Sequence, residues 1–204
     1  KLNTTLYINE NRIISGTTPD TYERPERYRK IIEQCLKEGA PIEGIGFQSR
    51  IKNGMLSAKV MYDRLNFFNE FNLPYQATEF EIRSTDKFKY SDEQVKELTE
   101  QFMLIYFSHP KVEGIWHWTF NDTKNNSKPW ALFNYDGTPT ATGIQWISTL
   151  QKDFSTNEII KTSSNGSAKI RGFRGVYEIV VKRNNVVKTV KYHLSKNDTL
   201  TIQL

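Results

Sequence analysis

The sequence predicts an α/β fold of parallel strands joined by crossover helices, followed by a small antiparallel β module. Three observations predict it. Between Leu6 and about Phe154, short apolar strands alternate with amphipathic helical stretches four times, and such alternation means parallel strands with helices between them. Each strand-plus-helix unit is about 30 to 40 residues long, the span a βαβ crossover needs. After the weakly hydrophobic linker "STNEIIKTSSNGS" the helical period gives way to residue-by-residue alternation, the signature of half-buried strands. Periodicity alone leaves two architectures for the first part, an open doubly wound sheet or part of a (β/α)8 barrel. No glycine-rich dinucleotide fingerprint follows any strand, which weakens the first.

Taken in order, "TLYINEN" is the first strand. "RPERYRKIIEQCLKEGA" is a helix with Tyr28, Ile31, Ile32, Cys35 and Leu36 on one face and Gly39 as its stop. "IEGIGFQS" is the second strand, and "AKVMYDRLNFFNEF" a helix burying Val60, Met61, Leu65 and Phe68. "LPYQATEFEI" is the third strand. "SDEQVKELTEQFMLIYFSH" is a helix opened by a capping box, Ser91 with Gln94. "VEGIWHW" and "TATGIQWISTLQKDF" complete the series, with Trp146 in the core. In the tail, Val176–Val181 and Val186–Leu194 alternate around the turn signal Asn184-Asn185, with further strands expected at Ala168–Phe173 and Leu200–Leu204.

The totals narrow the function. Net charge is +5 and pI about 9.1, but the 28 Lys and Arg are interleaved with 23 Asp and Glu along all 204 residues. That is a solvated surface rather than a nucleic-acid footprint. The single cysteine, Cys35, has no partner for an internal disulfide, and no Cys/His spacing suits a metal. No cofactor is implied. No apolar run spans a membrane and no signal peptide is present. The chain starts at Lys1 without Met and is expected to be a processed chain or a fragment. His109 and His193 read as surface residues, and Trp116 as packing in a barrel or under a helix.

Polar and aromatic residues gather where all four strands end: Asn9 and Glu10, Gln48 and Arg50, Glu79 and Glu81, His117 and Trp118. In a parallel βα array those ends share one face, where such folds place their sites. One strand ending in acids is ordinary; four ending this way mark a site.

The ordered set "LYINEN", "GAPIEGIGFQS", "LPYQATEFEI", "VEGIWHW" and "PWALFNYDGTPTATG" resembles the second half of a family 10 glycoside hydrolase, the endo-β-1,4-xylanase family. The tail "RGFRGVYEIVV" resembles the small β module that follows the barrel in the plant-like branch. The resemblance implies strands five to eight of a (β/α)8 barrel over residues 1–156 and a β module over 157–204. It also implies hydrolysis of xylan or a related β-1,4-linked polysaccharide with retention, and a secreted, periplasmic or cell-surface location. The family's nucleophile ends the seventh strand in a Thr-Glu motif, here Glu79. The sixth strand ends in Gln-x-His, here Gln48 and Ser49 with Arg50 in place of His, and Glu81 stands where Asp is usual. Trp118 and Trp130 match the sugar platforms after the eighth strand, Asn9 and Glu10 the polar end of the fifth, and His117 is a candidate for substrate contact. A retaining glycosidase needs an ionised carboxylate and a second carboxyl about 5.5 Å away, and an ionised nucleophile needs a cation or donors nearby. Arg50, always charged, is expected to bridge Glu79 and Glu81. The family's acid/base Glu lies on the fourth strand, upstream of this chain. The N-terminal half of the barrel, in the same gene or a separate chain, is therefore the expected partner. The Arg50 and Glu81 departures motivate an alternative, a non-catalytic carbohydrate-binding protein that keeps the cleft and the Trp platforms.

Overall fold

The computed structural model describes residues 4–125 and 127–204. The chain divides into two compact units, Lys1–Thr149 and Leu150–Leu204.

In the first unit, β1 (Tyr7–Glu10) pairs in parallel with β2 (Gly44–Phe47), Tyr7 opposite Gly44 through Glu10 opposite Phe47. The next strand in space, β4 (Tyr75–Ile82), takes β2 along its first half and the two-residue β3 (Arg50–Ile51) along its second, again in parallel. Its other edge carries β5 (Val112–His117). β2 and β3 are thus one strand interrupted at Gln48 and Ser49. The interruption has a local cause. Ser49 sits at φ 60°, a conformation rare for a residue with a Cβ. Its buried hydroxyl bonds the Phe47 carbonyl at 2.9 Å and the Tyr106 hydroxyl at 2.6 Å. The strands follow one another across the sheet in chain order, without the reversal that a doubly wound sheet has at its switch point.

The helices pack on one face of this sheet. They are α1 (Arg24–Lys37), α2 (Ala58–Asn66), α3 (Asp92–Ser108) and α4 (Ala141–Lys152). Phe47 meets Tyr28 of α1 at 6.3 Å between ring centroids, Phe68 just after α2 at 5.3 Å and Tyr75 at 5.6 Å. Phe80 stacks on Phe102 of α3 at 4.0 Å and on Trp146 of α4 at 6.1 Å. Alternation then puts Gly44, Gly46, Gln76 and Thr78 on the opposite face. There the Tyr7 ring lies over Gly44 and the Asn9 side chain over Gly46, positions a Cβ would fill. The capping box of α3 forms: Gln94 N–H donates to Ser91 Oγ at 3.3 Å, and Ser91 N–H to Gln94 Oε1 at 2.9 Å.

Several expectations are corrected. Ile31 and Val60 are exposed, at the rims of stripes whose centres (Tyr28 and Ile32; Met61 and Leu65) are buried. His109 is buried, not on the surface. It follows α3, its ring stacks on Tyr75 at 5.3 Å, and Nε2 lies 3.3 Å from Asn66 Oδ1. Of the two places expected for Trp116, the one under a helix is excluded: it lies on the helix-free face, 60% exposed, with Nε1–H donating to Gln76 Oε1 at 3.2 Å.

In the second unit, β6 (Gly175–Arg183) and β7 (Val186–Leu194) form an antiparallel hairpin. Arg183 faces Val186 across Asn184-Asn185, and Asn184 takes φ 52°, which Asn tolerates better than most residues. The strands expected at 168–173 and 200–204 are irregular instead. Side chains bond backbone groups there: Phe173 N–H donates to Thr156 Oγ1 at 3.2 Å, the Tyr177 hydroxyl to the Phe173 carbonyl, and Lys188 Nζ to the Gln203 carbonyl.

Candidate active site

β4 changes its facing halfway along. Tyr75 and Ala77 point to the helices; a register shift against β5 between Ala77 and Phe80 then lets Phe80 and Ile82 do so. Two residues, Thr78 and Glu79, stand where strict alternation allows one. Such a bulge re-aims side chains at the end of a strand. Beyond it, Glu79, Glu81 and Arg83 follow at period two, and β3 brings Arg50 opposite Glu81. Lys52 follows Arg50 at the same period.

These residues form one charge cluster. An Arg50 terminal nitrogen, Nη2, donates to Glu79 Oε2, and Arg50 Nε lies 3.9 Å from Glu81 Oε1. Glu81 is fully buried and meets two further cations, Arg83 Nη2 at 2.9 Å and Lys52 Nζ at 3.7 Å. Three cations therefore face two carboxylates. Burial pulls the Lys52 ammonium below its ordinary pKa; Glu81 opposes this, while Arg83, Arg50 and Arg12 add to it. Removing one partner from such a buried cluster leaves a charge uncompensated, at a cost of about 3–5 kcal/mol.

The aromatic residues frame the cluster. The Arg50 guanidinium carbon is 5.6 Å from the centre of the Trp118 ring, and that of Arg83 is 3.6 Å from the centre of the Trp130 ring, within cation–π range. Trp118 N–H bonds the Phe80 carbonyl at 2.8 Å, tying the end of β5 to β4. Trp118 is 46% exposed.

The site residues named from the sequence fare differently. Arg50, Glu79, Glu81 and Trp118 meet around one guanidinium, and Trp130 joins through Arg83. Asn9 accepts from Thr78 Oγ1 at 2.8 Å, next to Glu79. Gln48 lines a pocket with Arg50. Glu10 turns to its own loop, accepting from Asn11 N–H at 2.6 Å with Arg24 at 4.0 Å. His117 faces the helices instead. Its ring lies 5.7 Å from Phe80 and 5.6 Å from Trp146, and Nδ1–H bonds the Thr119 carbonyl at 3.1 Å. Burial lowers its pKa to about 4 from the ordinary 6.5, the Thr119 bond opposing. Its parity with Phe80 across the two strands decides this, since the two residues are register partners. Lys52 and Arg83 were missed. The signal was the strand period: Arg50 with Lys52, and Glu79 with Glu81 and Arg83.

Among the described residues no group of three His, Cys, Asp or Glu is placed to hold a metal ion, and no helix is long and apolar enough to cross a membrane.

The profile of glycosyl hydrolase family 10 matches residues 1–142. Endo-1,4-beta-xylanase 2 of Arabidopsis thaliana is 29% identical over 179 residues, covering 87% of this chain and 16% of that protein. Endo-1,4-beta-xylanase 1 of the same plant is 28% identical over 199 residues, 96% of this chain and 20% of that one. The chain thus spans a fifth or less of these two relatives. Among solved structures, xylanase 10B from Thermotoga petrophila RKU-1, in complex with xylobiose, superposes with a TM-score of 0.58 at 21% identity, over 72% of this chain and 46% of that one. The shared fold is that of a (β/α)8 barrel, in keeping with strands that follow one another in chain order and helices on one face. The family profile covers more than two thirds of the sequence, including every residue of the charge cluster, and the chain belongs to glycosyl hydrolase family 10.

Proposed function

We propose that this chain supplies strands five to eight of a (β/α)8 barrel, with residues 157–204 as a separate β module. In this account the completed barrel hydrolyses xylan-type β-1,4-linked polysaccharide with retention. Glu79 is the nucleophile. Its carboxylate attacks the anomeric carbon as the glycosidic C–O bond breaks, and the departing oxygen takes a proton from a carboxylic acid on the segment that completes the barrel. Water, deprotonated by that same residue, then releases the sugar from the Glu79 ester. Arg50 holds Glu79 charged and oriented between turnovers, while Glu81 fixes Arg50. Trp118 and Trp130 serve as stacking platforms, with Gln48 and Asn9 as polar contacts beside them. A polymer too large to enter a cell fits a secreted, periplasmic or cell-surface location.

The observation that carries this proposal is the Glu79–Arg50 pair at the C-terminal end of β4, beside an exposed tryptophan. Support comes from the names of the relatives, endo-1,4-beta-xylanases, and from the xylobiose complex of a structural neighbour.

A second reading has its own observation. Arg50 Nη2 bonds Glu79 Oε2, which leaves attack to the other carboxylate oxygen. A carboxylate tied to a fixed guanidinium also suits a carbohydrate-binding protein without turnover.

Glu79→Gln in the intact protein separates the two. The amide keeps the shape and loses the attacking charge, so hydrolysis of xylan is expected to fall by at least about 10³-fold while oligosaccharide affinity stays within a few-fold. Hydrolysis at the wild-type rate removes Glu79 as nucleophile. Wild-type binding without hydrolysis establishes the binding protein.

A further inference from the structure

The loop after β1 builds a pocket that shares Gln48 and Arg50 with the proposed site and otherwise lies outside its chemistry. It has a volume of about 230 Å³ and is lined by four cations, Arg12, Arg24, Arg50 and Lys52; its other lining residues are hydroxyl, amide and glycine residues, and none is acidic. Its walls are built. Arg64 holds the loop from beneath through the carbonyls of Ile13, Ile14 and Gly16 at 3.1, 3.3 and 2.9 Å. Ser15 Oγ donates to the Arg50 carbonyl at 2.8 Å, and Thr17 Oγ1 to the Asn53 carbonyl at 3.0 Å. Ile13 and Ile14 are 1% exposed. Arg12 itself takes φ 55°, a backbone cost that the anchored loop sustains.

The charges are incompletely answered. Arg12 pairs with Asp20 at 3.1 Å, and Arg24 donates to Asn11 Oδ1 at 3.1 Å and lies 4.0 Å from Glu10 Oε1. Lys52 and Arg50 share Glu81 with Arg83, and the buried Arg50 Nε has no hydrogen-bond partner. A dense set of guanidinium and ammonium groups around a concave space is the arrangement that binds carboxylates. The volume falls below the roughly 300–1,000 Å³ that enclose larger ligands, so it suits one small group. Arg50 lines the pocket and also bonds Glu79, so the pocket adjoins the proposed point of cleavage.

We infer that this pocket receives the carboxylate of an acidic sugar substituent, a uronic acid branch on the polysaccharide held at Glu79. The inference rests on the polysaccharide reading above and adds substrate selection to it. Arg12 and Lys52 face the branch, and Arg50 couples its presence to the site of attack.

The test measures affinity of the intact protein for a linear xylo-oligosaccharide, the same oligosaccharide with one uronic acid branch, and one with a neutral pentose branch. The acidic branch is expected to improve affinity about tenfold over the linear compound, the size of one charge-assisted hydrogen bond. The neutral branch is expected to give no gain. The gain should shrink as salt rises. Arg12→Gln and Lys52→Gln should each reduce the ratio of acidic to linear affinity measured on the same variant, and Arg12→Lys should retain it. A ratio near one in the wild type, or a ratio unmoved by Arg12→Gln and Lys52→Gln, overturns the inference while leaving linear binding, and so the proposed function, standing. Competition by free sulfate with no gain from the branch would make the pocket a site for free anions and also overturn it. Loss of binding to all three compounds would instead overturn the polysaccharide reading.

Discussion

At the residue scale the site is organised by one buried carboxylate. Glu81 has no exposure and draws Arg50, Lys52 and Arg83 inward, so Glu79 inherits a cation already fixed in place. The resemblance made Glu79, Arg50 and Glu81 legible from the sequence, and Arg50 does bridge them. The other two cations were legible only from strand parity, because no motif names them. His117 was the residue the sequence aimed wrongly: within "WHW" the alternation is plain, but which face it starts on depends on the pairing with Phe80. Its burial has a pH consequence. The folded-state pKa is lowered to about 4 from the ordinary 6.5, so the native form keeps His117 neutral while the unfolded chain binds a proton below pH 6.5. The stability this contributes is fully present above pH 6.5 and is lost as pH falls toward 4. Melting curves across that window should show a loss of about 3 kcal/mol that is smaller in His117→Leu. Parallel curves for the two proteins would mean that His117 is protonated in the fold.

At the element scale, strands and helices were legible wherever a period ran for two turns or more. What escaped was irregular by nature. The break between β2 and β3 depends on Ser49 reaching Tyr106 across 57 residues of sequence. The loop from Asn11 to Thr18 carries the cationic pocket without any period. The stretch "AKIRGF" alternates like a strand, yet it is irregular in the fold. The start of α4 shows how tightly loop and helix are fitted. A Cβ on Gly143 would lie 2.0 Å from the Leu132 carbonyl oxygen, the same oxygen that accepts from Thr140 N–H at 3.0 Å. Gly143→Ala must push the helix off this loop and should destabilise by about 1–3 kcal/mol, read as a lower urea midpoint at unchanged slope. An unchanged midpoint would show that the loop yields freely.

At the scale of the whole molecule, four parallel strands in chain order, with helices on one face and polar ends gathered at one end, make an arc of barrel rather than a closed one. Among the described residues β1 pairs only with β2, and β5 only with β4. Closing a barrel needs both edges paired, and exposed edges invite pairing with another segment. Trp116 and Tyr7 lie on the face that further strands would enclose. In the proposed function the catalytic site is shared, with Glu79 as nucleophile and the acid/base on the segment that completes the barrel. The most direct measurement is covalent capture. An activated 2-fluoro xylobioside, whose fluorine slows breakdown of the glycosyl-enzyme, is incubated with the intact protein and the labelled peptide is located by mass spectrometry. The account predicts one added sugar, esterified to Glu79 and absent from Glu79→Gln; a label on a different carboxylate, or rapid hydrolysis of xylan with no label on Glu79, would contradict it.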